Sequence, residues 1–179
     1  MIAVRAGELA RLGDLFERHH RPLFGFFVHL TGDPTTAEDL VQLVFYRILK
    51  YRHTYRDEGK FSAWLYHLGR KVVADHYRRN ATVATPTDPS EFHTLPDRDS
   101  PGADEQAARS EELNFMRLAL LDLPLDQREI LTLHRFQHLR HEEIARLLNI
   151  SVGATKVRVH RALIALRDRF FQLRRQPIS

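Results

Sequence analysis

Lys156, Arg158 and Arg161 are three cations on one short stretch, VGATKVRVHRA, whose other side chains are mostly small or branched. Ammonium and guanidinium groups at this density pair with phosphate, and arginine can also grip a guanine edge through two parallel N–H donors. Read as a helix, the stretch sends Thr155, Val159, Ala162 or Leu163, and Leu166 inwards at intervals of three and four. That turns Ala154, Val157, Arg158 and Arg161 outwards. Ala154 and Val157 are then of a size to meet a thymine methyl, Arg158 and Arg161 are the first candidates for base readout, and Lys156 suits phosphate. Over residues 152–176 seven cations stand against Asp168 alone, a net of +6. The alternative is a solvated basic face on a structural helix.

A second set reads differently. Trp64, His67, Lys71, Asp75 and Arg78 follow one another at steps of three, four, four and three, with Arg79 beside the last, opposite Leu65, Leu68 and Val72. An aromatic ring among cations suits single-stranded nucleic acid, because each base stacked on a ring contributes about 1–3 kcal/mol while the cations hold the backbone. The competing reading of Trp64 is core packing. His134, His138 and His141, three of eleven histidines, are spaced to offer imidazoles to zinc if all share a helix. His141 is expected beyond the helix end, however, no cysteine assists, and HEEIA is not the HExxH zinc pattern. Surface histidines that titrate are the default there. With no Gly-rich phosphate loop and no nucleophile elbow, the expectation is no catalytic residue, no metal and no cofactor.

The elements that carry these residues are helical. At 179 residues and 43% hydrophobic content the chain can build one or two small cores, and its net charge of +4 favours an acidic partner. The absence of cysteine excludes disulfides and thiolate metal sites. No window approaches the roughly 18 apolar residues of a spanning helix, and the first ten residues lack the core of a secretory signal, so a soluble cytoplasmic protein with no membrane partner is expected. Composition breaks at residues 81–105, where Pro86, Pro89, Pro96 and Pro101 exclude a long helix and six acids against Arg98 give a net of −5. The prediction is all-α: two small helical domains, residues 1–80 and 106–179, joined by a flexible acidic linker at 81–105.

In the first domain Leu9, Leu12, Leu15 and Phe16 form an apolar stripe, and Pro22 restarts or bends the helix before Leu23, Phe24, Phe27 and Leu30. Gly32 closes it, and Pro34 opens a second helix with Ala37, Leu40, Val41, Val44, Ile48 and Leu49 inwards and Asp39, Gln42, Leu43 and Tyr46 outwards. A third runs from Phe61 to Asn80. The second domain is predicted as a helix at 111–121, one from Pro124 carrying Ile130, Leu131, Leu133 and Phe136, a short one with Ile144, Ala145, Leu147 and Leu148, and a final helix capped by Ser151.

AEDLVQLVF, FSAWLYHLGRKVVADHYRR, LPLDQREILTLHRF and EEIARLLNISVGATKVRVHRA, in that order, resemble the extracytoplasmic-function sigma factors of bacterial RNA polymerase. The resemblance covers all but the termini and linker. It implies that the first domain is a sigma region 2 bundle that binds the polymerase clamp and melts the minus-10 element, and that the second is a region 4 helix-turn-helix that reads the minus-35 element. It assigns Asp39, Gln42, Leu43 and Tyr46 to the clamp, and Trp64, His67, Lys71, Asp75, Arg78 and Arg79 to melting. The loop at residues 51–60 matches in position the family loop that captures an unstacked base, which offers Tyr55 and Arg56. Ala154, Lys156, Val157, Arg158 and Arg161 fall on the minus-35 reader, where Ala-Thr-Lys-Val-Arg departs from the usual Thr-Val then Lys-Ser-Arg. Lys71 stands near where relatives carry asparagine. The implied partners are core RNA polymerase through its clamp and flap regions, double- and single-stranded promoter DNA, and an anti-sigma factor. A stand-alone helix-turn-helix regulator, dimeric on palindromic sites, is the alternative, and a sigma-like decoy is a third reading.

Overall fold

The computed structural model describes residues 1–57, 60–80 and 103–175, with side chains in the last span described from residue 109. Among these residues there are helices and no strand, and contacts divide the chain into two compact units. The first is built on helices α1 (Ile2–Arg5), α2 (Arg11–Thr31), α3 (Pro34–Tyr51) and α4 (Phe61–Asn80). The second is built on α5 (Ala103–Leu121), α6 (Leu125–Leu131), α7 (His141–Leu148) and α8 (Val152–Arg175).

Helix α2 runs continuously through Pro22, so of the restart or bend that the sequence suggests there, the restart does not occur. Proline removes one backbone hydrogen bond, but Leu15, Leu23, Phe26, Phe27 and Leu30 are buried along one face, and that burial outweighs the lost bond. Gly32 ends the helix in the left-handed region at φ 77°, its N–H donating to the Val28 carbonyl. Asp33 then caps α3, accepting from the Thr35 and Thr36 N–H groups at 3.2 and 2.9 Å with Pro34 in the first turn. Hydrogen bonding, led by Thr36, holds its carboxyl below the usual carboxylate range. Asp33→Ala is expected to cost about 1 kcal/mol, measured by urea denaturation of the full chain.

Helix α3 buries Ala37, Leu40, Val41, Val44 and Ile48 against α2 and α4, as the spacing predicts, together with Phe45, which the spacing does not assign inwards, while Leu49 is half-buried. Helix α4 buries Leu65, Tyr66, Leu68, Val72 and Val73, and at Gly69 an added Cβ would lie 3.5 Å from Leu23, Phe26 and Phe27. Tyr77 ties the end of α4 to α2 by donating to the Leu30 carbonyl at 2.8 Å. Leu9, expected inwards, is 48% exposed because α2 begins only at Arg11. Its place is taken by Val4 on α1, fully buried in a helix that the sequence pattern does not announce.

Burial pushes His29 on α2 below its ordinary 6.5, partly opposed by a Gly25 backbone hydrogen bond, and burial is the largest cause of the same shift at His19, His67 and His76. Each therefore gains a proton more readily in the unfolded chain. Their contribution to stability is complete above pH 6.5 and is lost as pH falls through the lower folded values. The melting temperature is expected to drop between pH 7 and pH 5, and His29→Gln should make that drop smaller.

In the second unit α5 starts at Ala103, inside the stretch assigned to the linker, because the last linker proline is Pro101 and nothing beyond it opposes a helix. Residues 81–102, the rest of that assignment, lie outside the described residues. Helix α6 runs into a π turn, Thr132–Phe136, marked by the Gln137 N–H donating to the Thr132 carbonyl at 3.0 Å. The wider turn shifts the register, so Phe136, predicted inwards, is 44% exposed while Leu133 is fully buried. Glu143 caps α7 by accepting from the Arg140 N–H at 2.9 Å. Helix α8 packs on α5 and α6.

Candidate nucleic-acid interface

The turn between α7 and α8 sets how α8 is presented. Asn149 takes φ 54°, a conformation asparagine tolerates, and the Ser151 Oγ accepts from the Ala154 N–H at 3.0 Å, the predicted cap. Thr155 is fully buried, its hydroxyl donating to the Ser151 carbonyl at 3.0 Å, and Val159 and Ala162 are buried behind it. Leu163 and Leu166 are half-buried. Lys156, Val157, Arg158 and Arg161 are exposed and Ala154 is half-exposed.

The seven cations of residues 152–176 separate into two groups. Arg169 pairs with Asp122 and Arg174 lies 3.6 Å from Glu112, both on or just after α5, while Arg167 bonds Asp168 at 2.8 Å. The first two fasten the far half of α8 to α5 and the residue after it, while the third lies within α8. Among the described residues Lys156, Arg158 and Arg161 have no ion pair, so the near half offers three uncompensated charges against Arg175 alone in the far half. The net of +6 overstates the charge available to a ligand.

On α4 the predicted face is only partly a surface. His67, Lys71, Arg78 and Arg79 are exposed, and Trp64 is half-buried with its ring edge-on to Tyr55 at 5.1 Å. Tyr55, expected to capture a base, is 3% exposed: its ring lies against Trp64 and Phe61 and its hydroxyl donates to Asp57 at 3.3 Å. Arg56 is exposed. Asp75 accepts from Arg47 at 2.7 Å and from Arg78 at 3.2 Å, and the Arg47 hydrogen bond holds its carboxyl below the usual range. Its oxygens are occupied by cations, which makes it an anchor between α3 and α4 that also steadies Arg78. Arg47 was missed because no local pattern links residues 28 apart.

On α3 Asp39 and Gln42 are exposed, Tyr46 is 59% exposed and Leu43 is half-buried. Phe16, assigned inwards, is 37% exposed and meets the Phe45 ring at 4.9 Å, adding apolar surface to that unit. In the second unit His141 lies beyond the end of the preceding helix, as expected, and opens α7, with its ring 4.7 Å from that of His134. Burial, then His141 and Arg135, lowers the His134 pKa. Among the described residues no three His, Cys, Asp or Glu side chains are grouped to hold a metal ion.

Residues 15–83 match Sigma-70 region 2 and residues 116–166 match Sigma-70, region 4. The RNA polymerase sigma factor SigZ of Bacillus subtilis is 32% identical over 83% of this chain and 80% of its own length. The ECF RNA polymerase sigma factor ShbA of Streptomyces griseus is 36% identical over 73% of this chain and 70% of its own. The chain belongs to the extracytoplasmic-function sigma factors. Its fold is that of the sigma factor RpoE of Bartonella quintana, solved with the anti-sigma factor NepR, at TM-score 0.70 and 22% identity over 88% of this chain and 94% of that one.

A sigma factor directs RNA polymerase to specific promoters, and the stand-alone regulator reading is not favoured. Sigma factors are in general initiation factors without enzymatic activity. In this sigma factor the region 4 match stops at residue 166, just before Arg167, so the ion-paired half of α8 falls outside it. Among the described residues no helix is long and apolar enough to cross a membrane.

Proposed function

We propose that this sigma factor reads the minus-35 element with Ala154, Lys156, Val157, Arg158 and Arg161 on α8. It opens the minus-10 element with Trp64, His67, Lys71, Arg78 and Arg79 on α4 and Arg56 in the loop before it. Asp39, Gln42, Leu43 and Tyr46 dock on the polymerase clamp. The two domains span residues 1–80 and 106–179, the acidic stretch 81–105 links them, and the chain works in the cytoplasm with no catalysis of its own. An anti-sigma factor is a further partner, supported by the solved likeness to a sigma factor held by one.

The observation that carries this reading is the division of charge along α8. Three cations without ion pairs share an exposed surface whose opposite side is anchored by Thr155, Val159 and Ala162. Cations held out of internal pairs are available to release counterions from DNA. Purified core polymerase with and without this chain, scored for initiation on genomic DNA, tests the reading. Specific starts that appear only with the chain, with an upstream hexamer protected and a bubble near the start, are the expected result.

A further inference from the structure

Helix α1 packs on α2 and on the short 3-10 turn Arg52–Thr54 that follows α3. Val4 is fully buried in that contact. From its exposed neighbour Arg5, one guanidinium N–H reaches across 50 residues of chain and donates to the Tyr55 carbonyl at 2.9 Å. The same carbonyl belongs to a residue whose N–H donates to Arg52 at 3.2 Å and whose ring is buried beside Trp64. The path of the backbone between α3 and α4 is therefore held at one point from outside the loop.

Beside this clasp lies an open cavity of about 410 Å³, lined by Met1, Ile2 and Ala3 on one side, Tyr55, Asp57 and Phe61 on the other, with Leu15, Arg18 and His19 between them. It is large enough for a nucleobase, and its walls have matching chemistry. Phe61, edge-on to His19 at 5.0 Å, offers a ring for stacking, Asp57 an acceptor for an exocyclic amine, and Arg18 a cation for phosphate.

We propose that Arg5 is a positioning residue for promoter opening: by clasping the Tyr55 carbonyl it fixes the loop and makes α1 one wall of the cleft that receives an unpaired base. The proposal rests on the reading of that loop and α4 as the surface for the opened strand. A charged donor on a carbonyl is the stronger class of hydrogen bond, and it restrains the backbone without occupying the cleft. Arg5 thereby governs which base is accepted, while the contacts to the base come from other residues.

The test uses holoenzyme reconstituted from core polymerase and the full chain, on a promoter that the wild-type holoenzyme opens, with unpaired thymines read by permanganate. Arg5→Ala is expected to lower the opened fraction about tenfold and to flatten the preference among the four bases at the captured position. Arg5→Lys, which retains a charged donor, should restore part of both. Hydrogen exchange should quicken at the amides of residues 52–57 and stay unchanged through α3 and α4. Lys71→Ala, which is expected to impair opening by itself, checks the underlying reading separately. If Lys71→Ala is defective while Arg5→Ala opens and discriminates as wild type, the clasp is refuted and the α4 surface stands. If neither variant alters opening, both fail. Faster exchange throughout α3 and α4 in Arg5→Ala would make Arg5 a merely structural residue and overturn its positioning role.

Discussion

Promoter binding by holoenzyme carrying Arg158→Ala and Arg161→Ala together is expected to fall about a hundredfold. Each arginine lost from a base edge or phosphate costs about 1–3 kcal/mol, and the two are close enough to share partners, so the lower half of the summed range is the better estimate. Both side chains are exposed, and among the described residues neither has an ion pair to break, so the loss comes from the DNA contact and not from the fold. Salt dependence separates the two modes of contact. If the arginines grip phosphates, the slope of log affinity against log salt becomes shallower by about two. If they read bases, the slope holds and discrimination against altered minus-35 sequences collapses. Arg174→Ala is the internal control, since that cation lies against Glu112. An exposed pair of this kind contributes about 0–1 kcal/mol, and its removal should leave promoter affinity nearly unchanged. Equal losses from Arg158 and Arg174 would mean that α8 attracts DNA by bulk charge alone.

Phe26→Ala is expected to destabilise the first domain by about 3–5 kcal/mol, a large share of the stability of a domain this size. Phe26 is fully buried and its ring stands 5.4 Å from that of Phe27 and 5.2 Å from that of Tyr66. It also contributes to the wall that Gly69 approaches, so truncation opens a void between α2 and α4 beside Gly69. In a thermal melt followed by circular dichroism, the first domain should unfold roughly 15–30 °C earlier. Binding to core polymerase should be lost with it. Phe16→Ala is the contrast: that ring is partly exposed already, and a smaller loss of stability is expected.

Much of this sigma factor is legible in the order of its residues, because helical periodicity is a local property. The faces of α3, α4 and the near half of α8 follow from spacings of three and four, and the buried positions of Thr155, Val159 and Ala162 agree with them. Capping at Ser151 is equally local. Local rules leave a restart open at Pro22 in α2, where the helix continues because a large buried face offsets one lost hydrogen bond. They misjudge Phe136, since a π turn changes the register that an even helical repeat assumes.

The sequence alone determined the all-helical class, the family and the face of α8 that carries Lys156, Arg158 and Arg161, since each depends on residues within a few turns of one another. Only the tertiary structure decided which charges are available. Arg169, Arg174 and Asp75 are engaged by partners on other elements, and Tyr55 is covered by Trp64. A side chain's charge belongs to its type, but whether that charge or ring reaches a ligand depends on neighbours distant in sequence.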